Sequence, residues 1–317
     1  MGKETEHGRH RFVDMWALPG IHPSNVELLQ QLKTADTQHF TKHMDTVGTV
    51  SEQDPESGDW EDSHLIGLRT DVWRADEDEM GEALDVIRRK RKETLRRKIK
   101  SWGRLSAKQT QTLEEQLASD QVMQMQSNEI ERRRLVLKLF KNTGTRTRWC
   151  GTIEEVTTTE VHNSIGSKRS LLTLVVILPR TEMVTYVQQN HRTFRIPSLF
   201  TFGYFDEQRM WNLTLKRHWL SWGADFDIEA DGQELGMVDG KMISFGSDSH
   251  LRLQPHALSE DTQFVDLLTL FTASVGYHRA MRKSVERRVA AAQAGQWQRH
   301  LIEDEELRLR HNGRAAA

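Results

Sequence analysis

"DFDIEADGQELGMVDGKMISFGSDSHLRL", Asp225 to Leu253, is dense in acids and glycines, and three readings compete for it. The first is a calcium loop. From Asp227 the EF-hand spacing supplies Asp227, Glu229, Asp231 and Gly232, but Val238 stands where the bidentate Glu must be. The second is a catalytic cluster in "SDSH", Ser247 to His250. Neighbouring residues on a strand point to opposite faces, so these side chains cannot assemble a triad by themselves, and no G-x-S-x-G elbow is present. The third is a small sheet. Asp231-Gly232 and Asp239-Gly240 separate short alternating segments, and Asp-Gly suits type I′ turns because both central residues need positive φ. This predicts a three-strand meander with Phe226, Ile228, Leu235, Met237, Met242 and Phe245 on its buried face.

Downstream the period changes from two to helical. Ser259 reads as a cap, followed by Thr262 and Gln263. The run "FVDLLTLFTASVGYHRAM", Phe264 to Met281, is apolar almost all round, with Asp266 and His278 at its edges. Such a helix belongs inside something. It continues as a basic amphipathic stretch with Arg279, Arg282, Lys283, Arg287 and Arg288, a placement that the helix dipole alone accounts for. Upstream, from Trp149, "GTIEEVTTTEV", "SLLTLVVIL", "EMVTYVQ", "SLFTFGYF" and "RMWNLTLK" are short runs rich in Val, Thr, Ile and aromatics, which reads as strands.

The pattern from Asp225 to Leu253 followed by Phe264 to Tyr277 resembles the end of the tubby-like superfamily, which includes the plant LURP-one-related proteins and the phospholipid scramblases. Asp231-Gly232, "GMV", "KMISF", "GSDSHLRL" and the apolar helix take the places of that group's closing elements. The resemblance covers Arg195 to Met281. It implies a closed antiparallel barrel threaded by a hydrophobic helix, and members tend to bind phosphoinositides or act at membranes. No ligand-binding signature carries over residue by residue.

The N-terminal half reads differently. Residues 1–75 give weak signals: a short helix in "HPSNVELLQQLKTA", then a polar loop or linker in "TVSEQDPESGDWEDS". Residues 76–144 read as a helical hairpin. Its first helix runs from Asp76 to Trp102, with acids at the start and bases at the end as the dipole favours. Ser106 and Gln109 form a capping box for the second, which is expected to reach Phe140. The expected class is therefore α+β: an N-terminal helical region, then an antiparallel β-barrel over 145–295 wrapped around a hydrophobic C-terminal helix, then a polar tail over 296–317.

The formal net charge is -2, so no global field draws the chain to nucleic acid or anionic lipid. Cys150 is the only cysteine, which excludes an intrachain disulfide and a thiolate cluster. The start is polar with no apolar signal segment, and the longest apolar run, Leu171 to Leu178, is too short to span a bilayer. The expected location is cytoplasmic, peripheral to a membrane if the basic residues bind lipid.

Charge is locally segregated. Arg88, Arg89, Lys90, Arg91, Lys92, Arg96, Arg97 and Lys98 are the densest basic run, with Lys168, Arg169, Lys216 and Arg217 as further anion-binding candidates on the strands. The bland alternative is a solvated helix face balanced by the preceding acids. His218, His250, His256 and His278 lack metal-ligand spacing, and Cys150 beside Trp149 reads as a buried small hydrophobe. No catalytic residue, metal or cofactor is assigned. The expected function is a non-enzymatic binding or scaffold protein. Its partner is an anionic phospholipid surface, or a protein engaged through 76–141; an enzyme with an unrecognised pocket is the remaining alternative.

Overall fold

A computed structural model describes residues 8–16, 43–74, 81, 133–142, 147–167, 169–181, 183–190, 198–218, 225–243, 246–296 and 306. The chain divides into two compact units, Met1–Trp73 with Ile130–Ala317, and Arg74–Glu129. Of the second unit only Arg74 and Gly81 are described, so the expected helices at 23–34, at 76–102 apart from Gly81, and up to residue 132 lie outside the described residues, as does the polar tail apart from Gln296 and Glu306.

The first unit is a barrel. Its strands are β1 (Arg9–Trp16), β2 (Met44–Gln53), β3 (Trp60–Arg69), β4 (Val136–Asn142), β5 (Thr147–Glu155), β6 (Thr173–Ile177), β7 (Thr185–Asn190), β8 (Leu199–Phe205), β9 (Met210–Arg217), β10 (Phe226–Ala230), β11 (Gln233–Ile243) and β12 (Gly246–Leu253). Each pairs antiparallel with its sequence neighbour, and β1 also pairs with β12, from Arg9 opposite Leu253 to Trp16 opposite Gly246. Closure leaves none of the described strands with a free edge for another chain to join. The helices with described bounds are α1 (Thr157–Ser164), α2 (Ala257–Glu260), α3 (Thr262–Val275) and α4 (His278–Gln293).

The expected fold class is overturned at its N-terminal end. The described part of residues 1–75 supplies β1, β2 and β3, so the expected linker is strand and hairpin tip, and the barrel begins there, not after Trp149. The "DPESGD" stretch is the tip of the β2–β3 hairpin. Asp54 Oδ1 accepts from the amides of Glu56 and Ser57 at 2.8 Å each, and Gly58 takes φ 77° to complete the turn. The expected second helix fails at its C-terminal end, since Val136–Asn142 is β4. Further along, "TTTEV" is α1 rather than a strand.

The opening stretch is a hairpin and a half. Asp231 and Gly232 have φ of 48° and 83°, as the type I′ reading requires. Asp239-Gly240 is not a turn, because β11 runs straight through it and pairs Gly240 with Ser249. A bulge explains the mistaken face: Ile228 faces Gly236 and Glu229 faces Glu234, leaving Leu235 as the extra residue. Leu235 and Val238 are therefore both buried, and Met237 is turned outward. Met242 and Phe245 lie outside the described side chains.

Barrels of about eight strands are filled by their own side chains, and diameter grows with strand number. Twelve strands, among the described residues, enclose a wider space, and α3 occupies it. Phe264 through Val275 are all buried. The helix touches opposite walls: Phe264 packs on Tyr204 of β8, Phe271 on Phe200 of β8 and Phe226 of β10, and Leu270 faces Gly151 of β5. Its N-cap is Asp261, not Ser259; Asp261 accepts from the Gln263 amide at 2.9 Å and from the Tyr204 hydroxyl. Its buried hydroxyls bond back to the helix, Thr269 to the carbonyl of Val265 and Thr272 to that of Leu268. The apolar run is two helices, since α3 ends at Val275 and α4 starts at His278.

Gly151 permits the close approach of helix and wall. A β-carbon there would lie 2.9 Å from Leu270 Cδ1 and 3.0 Å from Leu178 Cδ2. Gly151→Val is expected to lose about 1–3 kcal/mol by overpacking, read as a lower urea midpoint; an unchanged midpoint would mean that α3 does not press on β5 there.

Candidate functional site

Two polar centres are buried under the apolar residues. The first lies where α3 meets β1, β2, β3 and β5. Along β1 the alternation buries Arg11, Val13 and Met15, so a charge is sent into the barrel. Arg11 is 1% exposed. Its Nη1 donates to Asp266 Oδ1 at 2.7 Å and to Thr269 Oγ1 at 2.9 Å, and its Nη2 reaches Glu52 Oε2 at 3.4 Å. Asp266 and Thr269 are three residues apart, hence on one face of α3. Arg9 closes the outer side, Nε to Glu52 Oε1 at 2.5 Å.

His64 and Cys150 complete this centre, and β-bulges aim both. Val50 pairs with His64 and Ser51 with Asp62, leaving Ser63 as the extra residue. On β4–β5, Leu139 pairs with Gly151 and Phe140 with Trp149, leaving Cys150 extra. The second bulge turns Cys150 into the interior cluster and Trp149 to the outer one. Ser63 Oγ donates to the Val50 carbonyl at 3.1 Å, so toward His64 Nδ1, 2.8 Å away, it acts as acceptor. That fixes the imidazole proton on Nδ1 and leaves Nε2 a bare lone pair. Nε2 is buried, has no hydrogen-bond partner and stands 3.7 Å from Asp266 Oδ1.

Burial sets the ionisation here. It pushes the Asp266 carboxyl up, with Arg11 opposing. It lowers His64 to about 2, assisted by the Arg11 charge. It raises the Cys150 thiol to about 11, with the Asp266 charge adding to it. Burial also acts upward on Glu52, but Arg11 and Arg9 outweigh it and hold that carboxyl below its ordinary range. A neutral histidine this reluctant to take a proton is a poor base, and a thiol this high is a poor nucleophile, so the trio does not work as an acyl-transfer triad.

The second centre clamps α1 and α4 onto the strands. Arg288, fully buried, bonds Glu155 at 2.8 Å, Glu160 at 3.1 Å and the Arg133 carbonyl. Arg133 in turn donates to Ser284 Oγ at 2.6 Å and the Ala280 carbonyl at 2.8 Å, and lies over the Trp73 ring. Glu160 accepts from the Thr173 amide at 3.0 Å and Glu155 from that of Leu135 at 2.9 Å. Burial and the adjacent Glu155 carboxylate push Glu160 up, against the pull of Arg288. Every polar group here has a structural task. Arg288, counted from the sequence with the basic helix end, is therefore a core residue.

The anion-binding candidates are not brought together. Arg88, Arg89, Lys90, Arg91, Lys92, Arg96, Arg97, Lys98 and Lys168 lie outside the described residues. Arg169 is exposed beyond α1, and its amide donates to Ser167 Oγ at 3.2 Å. Lys216 is held by Glu229 at 2.5 Å, and Arg217 is its strand neighbour and so faces the other side. Nor do the four histidines meet. His218 pairs with Asp227 at 2.6 Å, His250 sits between Phe12 and Trp60, and His256 caps α2 and lies against Trp211. His278 is buried against Phe200, Phe226 and Phe271. The EF-hand acids are likewise spent in hairpin contacts, Asp231 accepting from the Asn212 amide at 3.0 Å.

Sequence reasoning missed Arg11 and His64 altogether. The available signals were an arginine at an inward position of an alternating run and an aspartate in an otherwise apolar helix. Comparison of the chain with protein-family models, with curated proteins and with solved structures finds no match.

Two outcomes follow from these burials. Arg11→Met strands the Asp266 carboxylate and is expected to cost about 3–5 kcal/mol in urea unfolding, whereas the double variant with Asp266→Leu recovers much of that loss; single-variant losses that simply add in the double variant would mean the pair is not coupled. His278 is lowered from 6.5 to about 3, chiefly by burial and then by Arg282 and Arg217. The unfolded chain takes up this proton first, so the stability is present above about pH 6.5 and falls as the pH drops toward the folded value. The acid sensitivity of the urea midpoint is therefore expected to shrink in His278→Phe, and a pH-independent offset between variant and parent would contradict it.

Proposed function

We propose that this chain is a non-enzymatic binding or scaffold protein that works from its outer surface and from the 74–129 unit inserted between β3 and β4. One observation carries the reading: α3, buried from Phe264 to Val275, occupies the interior where a barrel of this width would otherwise take a ligand. The polar groups within are engaged with one another or sealed from solvent, which argues against substrate turnover there. The likeness to the tubby-like superfamily belongs to the same proposal, as does the partner it suggests, an anionic phospholipid surface.

The element assigned to that surface is the basic run from Arg88 to Lys98. Each Lys or Arg close to an anionic membrane contributes about 1 kcal/mol, and the separation of Arg74–Glu129 as its own compact unit favours a dedicated contact element. Lys216, neutralised by Glu229, is a weak contributor. No helix among the described residues is long and apolar enough to cross a membrane, so attachment in this reading is by surface charge.

The test is co-sedimentation of the full chain with vesicles of phosphatidylcholine, with and without phosphatidylserine. Binding is expected only with phosphatidylserine, fading as salt shortens the screening length, and lost when Arg88, Arg89, Arg96 and Arg97 are changed to Glu. Sedimentation that ignores lipid charge, or none at all, overturns the lipid partner. Concentration-dependent self-association that is lost on deleting 76–129 would then favour protein assembly.

A further inference from the structure

We propose that His64, Cys150 and Asp266 form a binding site for one divalent transition-metal ion of the zinc type, held inside the barrel between β3, β5 and α3. This goes beyond the binding reading above and does not depend on what the outer surface engages.

The donor atoms, one from each side chain, lie within 4.8 Å of one another. Tetrahedral zinc needs bonds of about 2.0–2.3 Å, so side-chain shifts on the order of 1 Å would close the site. The donor types choose the metal. A sulfur and an imidazole nitrogen beside one carboxylate oxygen suit zinc or cobalt, while magnesium and calcium prefer an all-oxygen shell. Three protein ligands leave the fourth tetrahedral position for water.

The surroundings are those of a ligand set rather than of packing alone. His64 Nε2 is a buried acceptor without a partner, and Ser63 holds the other ring nitrogen as the donor. Metal-bound histidines are oriented in this way, by a hydrogen bond from the second ring N–H. Asp266 is held by Arg11, which donates to Oδ1, the oxygen that faces His64 Nε2. Both bulges serve the site, since one carries Ser63 and the other turns Cys150 inward.

Charge is compensated at the metal. The Cys150 thiolate and Asp266 offset the dication, while Glu52 is shared between Arg9 and Arg11. Binding replaces the Cys150 S–H bond with a sulfur–metal bond, and the proton leaves to solvent. His64 binds through Nε2 without changing its proton count. Arg11 would repel a lone cation, and the thiolate formed on binding counters that repulsion while Arg11 stays paired with Asp266 and Glu52.

The test uses the full chain, unfolded with chelator under reducing conditions and refolded with cobalt(II). One equivalent is expected to remain after gel filtration. It should give a near-ultraviolet thiolate-to-cobalt charge-transfer band and the intense visible bands of four-coordinate cobalt, both bleached by zinc. Cys150→Ala is expected to lose the charge-transfer band, and His64→Gln to weaken retention by at least about tenfold. Absence of the sulfur band in the parent protein overturns the site. That covers a buried water beside His64, or cobalt held at the surface by His218 and Asp227. A band that persists in Cys150→Ala overturns it too. Should either variant fail to fold, the parent spectrum decides alone.

Discussion

The structure turns on the pairing of Arg11 with Asp266. A wall of twelve strands encloses more space than its own side chains fill, so a helix has to enter. The helix that enters carries one carboxylate, and an uncompensated charge there would cost several kcal/mol. The counter-charge comes from the first strand, 255 residues away, through an inward arginine that also bonds Thr269 one turn further on. The same strand closes the barrel against β12. One residue thus fixes the filler to the seam of the wall. A second arginine, Arg288, works similarly at the α1 and α4 side, drawing Glu155, Glu160 and the backbone of Arg133 together. Apolar contacts supply the bulk of the burial here, and these two residues tie the helices to the strands within it.

Much of the wall is readable where alternation is clean and turn chemistry local. Asp231-Gly232 announces its turn because two adjacent residues must take positive φ, and they do. The strands after Trp149 and the apolar segment near Phe271 are legible from composition and period. The reading fails where the period is interrupted. Bulges at Ser63 and near Val47 break the alternation of β2 and β3, and the polar start of β3, Trp60 to Asp62, looks like linker. The bulge at Leu235 misassigns Met237, and Asp239-Gly240 imitates a turn because nothing local reveals that β12 pairs straight across it.

The interior site was harder still. Arg11, His64, Cys150 and Asp266 sit on four different elements, and no short spacing links them. Asp266 was visible as an oddity in an apolar helix, and Cys150 as a lone buried thiol, but neither names its partner. Arg288 misled in the opposite direction, since its sequence neighbours are basic and solvent-facing arginines are the common case. The interior of the barrel thereby holds tightly paired charge, while the densest basic run of the sequence, Arg88 to Lys98, belongs to the 74–129 unit.

The pairing of β1 with β12 has a consequence for how the molecule is made. A wall that closes between residue 9 and residue 253 is built from long-range contacts, which are formed slowly because the chain entropy of joining distant ends must be overcome first. Moreover, α3 follows β12 in the chain, so on a ribosome the inward-facing Leu, Val and Phe of all twelve strands are synthesised before the helix that covers them. A nascent chain of this kind holds its greasiest surface open until its last third emerges.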